Sequence, residues 1–170
     1  IWEIKKSIDH ELRVQQMAKK TNDVAVSDNR DFSIYETFVG DDGREMVLVP
    51  EGIFSRGSDS GGFDEKPAQE IYLDAFYIDK YEVTNEEYKK FLDSSGYDQL
   101  PGHWKNGSYA EGKDRYPVTH VTWREALTYA LWAQKSLPTE AQWEKAARGV
   151  DGRIYPWGDD YEKGKSTMGI

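Results

Sequence analysis

The chain has 170 residues, no cysteine, 14% aromatic residues and a formal net charge of −9 at pH 7. This length is enough for one domain with a hydrophobic core. The acidic balance argues against a nucleic-acid partner, because such binding depends on neutralising phosphates. The lack of cysteine excludes disulfides, thiolate nucleophiles and thiolate metal ligands within these residues.

The first 22 residues are predicted to form an amphipathic helical arm. Apolar side chains recur there at helical spacing: Ile1, Ile4, Ile8 and Leu12. An arm of this kind is typical of a docking helix or of a stem that follows an anchor, and the alternative is a helix packed on its own domain. Membrane association is expected only through an anchor that precedes these residues. Residues 23–43 predict a linker that closes on a turn.

Residues 44–170 have the pattern of a domain that begins with strands. The run MVLVP predicts a short strand, and GIFSRG predicts its hairpin partner after a turn at Glu51–Gly52. The glycine-rich stretch SDSGGFDEKP is interpreted as a surface loop. The stretch EIYLDAFYID then alternates imperfectly, as one strand with a bulge would.

Three helices are predicted from capping boxes at Thr84–Glu87, Thr122–Glu125 and Thr139–Gln142, with Gly96 and Gly149 ending the first and third. Glu140, Glu144, Lys145 and Arg148 are expected to face water. The expected buried side chains are Tyr88, Phe91, Leu92, Trp123, Ala126, Leu127, Ala130, Leu131, Ala141, Trp143, Ala146 and Ala147. Capped helices between long aromatic loops, with few strands, predict an α+β domain.

Five blocks in this sequence carry a family resemblance: MVLVPEGIFSRGS, FYIDKYEVTNEEYKKF, YPVTHVTWREALTYALWA, LPTEAQWEKAARG and YPWGD. Their order and spacing resemble the formylglycine-generating enzyme/sulfatase-modifying factor family, which is itself similar to the non-haem iron sulfoxide synthases. The resemblance implies an irregular α+β fold of the C-type-lectin-like kind. It also implies that Thr139, Glu140, Trp143 and Trp157 belong to the scaffold rather than to a site.

Members of this family usually continue well beyond the point that corresponds to Ile170. In the formylglycine-generating enzymes the later half carries the copper-binding cysteine pair, much of the substrate groove and the calcium ligands. The resemblance therefore implies no catalytic residue and no cofactor in this chain, and it implies copper or calcium only in a continuation. We expect the domain at 44–170 to be incomplete at its C-terminus.

The three histidines, His10, His103 and His120, are the remaining candidates for metal ligands. His10 alone precedes the domain, which is too few histidines for the iron triad of the sulfoxide synthases. A site at His103 and His120 would need a carboxylate as well, and structural histidines are the favoured interpretation. No metal site is therefore predicted.

The irregular stretch before the second helix is rich in aromatic side chains with polar neighbours. Two interpretations carry equal weight: a binding face of the kind that interfaces favour, or filling of a loop-rich core. The candidate binding residues are Tyr97, His103, Trp104, Tyr109 and Tyr116.

The sequence favours a non-catalytic binding or assembly subunit of a larger complex. Its protein partner would contact the aromatic loops, the N-terminal helix or the surface that a later half leaves open. The alternative is a copper- and oxygen-dependent oxidase that converts a sulfatase cysteine to formylglycine, with its catalytic half outside this chain. A bacterial, periplasmic or otherwise extracytoplasmic location is expected.

Overall fold

The computed structural model describes residues 36–165, so the predicted arm at 1–22 and most of the predicted linker lie outside the described residues. Within that range the order is β1 Thr37–Val39, β2 Glu45–Val49, β3 Gly52–Arg56, β4 Gln69–Leu73, β5 Phe76–Asp79, α1 Asn85–Ser95, α2 Trp123–Trp132 and α3 Glu140–Arg148. Small sheets followed by helices confirm the predicted α+β class. Among residues 36–165, no helix combines the length and the apolar character needed to cross a bilayer.

The sheet begins earlier than the sequence indicated. Strand β1 pairs antiparallel with β2, with Thr37 opposite Val47 and Val39 opposite Glu45. The predicted linker therefore does not extend to residue 43, because its last part forms an edge strand and the turn that follows. Three residues are too few to show an alternating pattern, so β1 has no recognisable signature in the sequence.

Strands β2 and β3 are not hairpin partners, so that prediction is wrong. Strand β2 lies between β1 and β5 in a three-stranded sheet, whereas β3 pairs with β4 in a two-stranded sheet. The stretch interpreted as one bulged strand is likewise two strands, β4 and β5, each in a different sheet.

One continuous register nevertheless runs through both sheets. Val49 lies opposite Phe76 in the first sheet, and Gly52, three residues later, lies opposite Leu73, three residues earlier. The four strands thus form one antiparallel ribbon that is interrupted in the middle. Pro50 has no N–H for the ladder, and Gly52 adopts a φ of 133°, which side chains disfavour. The turn predicted from these residues is a kink in the ribbon rather than a reversal of the chain.

The hydrophobic core lies between α1 and α2. Its buried members are Tyr88, Phe91, Leu92, Trp104, Tyr129 and Ala133. The rings of Tyr88 and Tyr129 are stacked with centroids 5.7 Å apart, and Trp104 meets Tyr88 edge-on at 6.2 Å. The predicted inward face of α1 is confirmed.

All three capping boxes are confirmed. In each, the threonine hydroxyl accepts from the backbone N–H three residues on, and the Glu or Gln side chain accepts from the threonine N–H. Gly96 ends α1 in the left-handed conformation, with φ 70° and ψ 13°. Gly149 ends α3 with φ 73° and ψ −159°, a combination that favours glycine.

The Tyr88 hydroxyl is buried with no hydrogen-bond partner among the described residues, and burial raises the pKa of Tyr88 to about 12. Tyr88→Phe removes this atom while retaining the ring contacts. We expect the free energy of unfolding to stay the same or to rise by up to about 1 kcal/mol in urea denaturation. Phe91→Ala, which should lower it by about 3–5 kcal/mol, is the control for sensitivity. A clear loss of stability in Tyr88→Phe would instead show that the hydroxyl is bonded.

Candidate functional site

The polar face of α3, predicted to face water, is the face that packs against β3. Lys145 is only 2% exposed, and its Nζ donates to the carbonyl oxygens of Pro50 at 2.8 Å and Gly52 at 3.0 Å. These carbonyls flank the kink in the ribbon, so a buried ammonium satisfies backbone groups there. Burial lowers the pKa of Lys145 below its ordinary value. The predicted exposure of Lys145 is therefore wrong.

Glu144 and Arg148 extend the contact between α3 and the ribbon. A Glu144 carboxylate oxygen accepts from the Gly57 N–H at 2.8 Å, and Arg148 donates to the Gly57 carbonyl at 3.0 Å. Arg148 also donates to the Arg153 carbonyl at 2.7 Å, which ties the segment after α3 back to the helix. Glu140, the remaining charged residue of this helix, pairs with the Arg56 side chain at 2.6 Å. Glu144, Lys145 and Arg148 face the ribbon because its backbone supplies their partners, whereas Glu140 stays exposed as predicted.

A second polar cluster joins the turn before β2 to the end of β5, the first turn of α1 and the segment that follows α2. Arg44 is 7% exposed, and its Nε lies 3.0 Å from Asp79, with Glu87 as a further ion-pair partner. Lys135 reaches Asp79 at 2.7 Å and Asp42 at 2.6 Å. Burial opposes the charge on Arg44, but the two carboxylates facing it raise its pKa overall. This cluster holds the scaffold together and was not predicted from the sequence.

The structure divides the five predicted binding residues between the core and the surface. Trp104 is 8% exposed and lies in the core, so it cannot contribute to an exposed face. Tyr97 and Tyr109 are partly buried against the same core. Tyr116 is exposed, with the Lys113 ammonium 3.7 Å from its ring centroid. Core filling therefore accounts for Trp104, and binding by Tyr116 and by the exposed His103 stays a prediction.

Two histidines from different loops lie side by side. The ring centroids of His103 and His120 are 4.9 Å apart, and the ring planes are inclined by 46°. His120 has a φ of 57°, and its Nδ1 lies 3.1 Å from the Thr119 hydroxyl oxygen. Within residues 36–165, no group of three histidine, aspartate or glutamate side chains has the arrangement of a metal site.

Large apolar side chains on the other sides of α2 and α3 remain exposed. Trp123 is 71% exposed and Trp143 is 63% exposed, and Leu131 is similarly open. All three were predicted to be buried, and that prediction is wrong for the described residues. The helical pattern identified them as apolar, but no element among residues 36–165 covers them. We call Trp123, Leu131 and Trp143 the exposed helix side chains.

The segment after α3 is stabilised by contacts among its own residues. The rings of Tyr155 and Trp157 are stacked, with centroids 5.2 Å apart and planes inclined by 4°. The Trp157 indole N–H donates to the Asp160 carbonyl at 3.0 Å. Trp157 thus packs within its own turn, and Thr139, another member of the predicted scaffold set, caps α3.

Comparisons with known proteins agree on one family. A family profile described as "Sulfatase-modifying factor enzyme 1-like domain" matches residues 32–169. The chain is 35% identical to the bovine formylglycine-generating enzyme, over 74% of this chain and 46% of that protein. It is 30% identical to the bovine "Inactive C-alpha-formylglycine-generating enzyme 2", over 72% of this chain and 55% of that protein.

A solved structure, PvdO from Pseudomonas aeruginosa, superposes with a TM-score of 0.58 at 27% identity, covering 77% of this chain and 57% of that one. The likeness confirms the predicted fold, the C-type-lectin-like variant found in this family. The chain spans about half the length of the relatives that it matches.

Proposed function

Because the chain belongs to the sulfatase-modifying factor enzyme 1-like domain family, we propose that it serves as a non-catalytic binding or assembly subunit of a larger protein complex. In this proposal the family fold is a scaffold that presents surfaces to a protein partner. The complex would lie in the periplasm or another extracytoplasmic compartment of a bacterium.

The exposed helix side chains are the observation that carries this proposal. Trp123 and Leu131 project from α2, about two helical turns apart, and Trp143 projects from α3. Exposed tryptophan is unfavourable in water and is enriched where proteins bind each other. A protein partner with a complementary apolar surface would bury these side chains.

The residue chemistry supports a binding role rather than catalysis. The 170 residues contain no cysteine, so they cannot supply the cysteine pair through which the family resemblance implies copper binding. The polar clusters around Arg44 and Lys145 are occupied with ion pairs and backbone carbonyls inside the scaffold. One of the relatives above is itself named as inactive.

The second candidate is an oxidase that converts a sulfatase cysteine to formylglycine. It is favoured by the 35% identity to the bovine formylglycine-generating enzyme. This activity would require copper ligands and a substrate groove contributed by residues outside the 170. The same exposed helix side chains would then be covered by the catalytic part.

The test replaces Trp123 and Trp143 with glutamine in the intact protein and measures the dissociation constant for the partner that copurifies with it from its own cells. We expect the complex to form at least about tenfold less tightly, because buried tryptophans dominate interface energies. Phe63→Gln is the matched control, since Phe63 is 97% exposed on the loop at the far end of the ribbon.

An unchanged complex in the double variant would contradict the binding role of these side chains. A second assay offers the intact wild-type protein a peptide with the sulfatase cysteine, copper and oxygen. Formation of formylglycine in that assay would contradict the non-catalytic function and establish the oxidase.

A further inference from the structure

The two neighbouring imidazoles sit on loop positions that the core fixes. His103 precedes Trp104, which is buried and whose backbone N–H donates to the Pro101 carbonyl at 2.9 Å. His120 precedes Val121, which packs against the same core, and Thr122, which caps α2. Both side chains are exposed, so the pair is an ordered feature of the surface that solutes can reach.

The ring separation allows the two imidazoles to share one metal ion when one nitrogen of each ring faces it. With metal–nitrogen bonds of about 2.1 Å, an ion lies about 3.2 Å from each ring centroid. A centroid separation of 4.9 Å then corresponds to a nitrogen–metal–nitrogen angle of about 100°. That angle lies between those of octahedral and tetrahedral coordination.

The contact of His120 with Thr119 is compatible with metal binding through Nε2. If Nδ1–H donates to the Thr119 hydroxyl, 3.1 Å away, the lone pair of Nε2 stays free. Metal-binding histidines are commonly oriented by such a hydrogen bond from the other ring nitrogen. His120 also holds a positive φ of 57°, a conformation that is uncommon outside glycine but in which histidine, asparagine and aspartate are enriched.

We propose that His103 and His120 bind one divalent transition-metal ion of the kind that imidazole prefers, such as Zn²⁺. One imidazole nitrogen from each histidine coordinates the ion, and water occupies the remaining positions. No third protein ligand is available among the described residues, so the site is open and exchanges its ion readily. The net charge of −9 adds a general attraction for cations.

Titration calorimetry with Zn²⁺ on the intact protein tests the proposal. Each of His103→Gln and His120→Asn should weaken the binding of one equivalent by at least about tenfold. Asparagine suits position 120 because it tolerates a positive φ, so the backbone is retained. His10→Asn is the matched control, since it removes the remaining histidine and should leave the affinity unchanged.

Two further measurements separate ligation from a structural effect. Melting curves of the variants in a chelator should match the wild type, because both side chains are exposed. The electron paramagnetic resonance spectrum of added Cu²⁺ should show nitrogen hyperfine coupling that the double variant loses. The proposal is overturned if the double variant binds Zn²⁺ as the wild type does, or if His10→Asn abolishes the binding.

Discussion

Replacement of Arg44 by methionine is expected to lower the free energy of unfolding by up to about 3–5 kcal/mol, because it leaves two part-buried carboxylates without their buried partner. The guanidinium lies 3.0 Å from Asp79 and also pairs with Glu87. Both carboxylates are only partly exposed to water, and they would then lack this partner, with Lys135 compensating Asp79 alone. Urea denaturation followed by circular dichroism measures the loss.

The design of that experiment separates charge from geometry. Arg44→Lys keeps the charge but not the fork of donors, so an intermediate loss is expected. In a double-mutant cycle, Asp79→Asn should recover part of the cost of Arg44→Met, since the unpaired charge is removed. A loss of less than about 1 kcal/mol in Arg44→Met would mean that the cluster is solvated like a surface pair.

Lys145→Met should lower the free energy of unfolding by about 2–3 kcal/mol, because the carbonyls of Pro50 and Gly52 lose their donor. Lys80→Met is the matched control, since Lys80 forms an exposed pair with Glu45 and should change stability by at most about 0.5 kcal/mol. Equal effects of the two substitutions would contradict the role of Lys145 at the kink.

The Lys145 interaction also has a pH signature with a definite sign. Burial lowers the pKa of Lys145 in the folded protein, so the unfolded chain holds this proton to higher pH. Between the two pKa values the unfolded state binds more protons, and the free energy of unfolding therefore rises with pH. In Lys145→Met this contribution to the rise should be absent.

The features that the sequence predicted well are local. A capping box involves residues three apart, so Thr84, Thr122 and Thr139 and their partners mark the helix starts regardless of tertiary structure. The inward face of α1 was likewise predicted, because its apolar residues face a core built from within the described chain.

The features that the sequence missed depend on what lies across the fold. Helix α3 has alanines beside polar residues, and only the carbonyls at the ribbon kink decide that Lys145 is buried and Trp143 exposed. The pairing of β3 with β4 rather than β2 likewise depends on a distant strand. His103 and His120 are brought together by loops with no periodic pattern, so their proximity has no signature in the sequence.

The kinked ribbon has a consequence for how the chain acquires its structure during synthesis. Its strands are close in sequence and can pair with each other early in folding. The donor that completes the kink, however, follows Pro50 by 95 residues. At about 5–20 residues per second, the ribosome delivers Lys145 several seconds after the ribbon has emerged. Until then water must solvate the two carbonyls at the kink. They accept hydrogen bonds from the protein only when α3 packs against the ribbon.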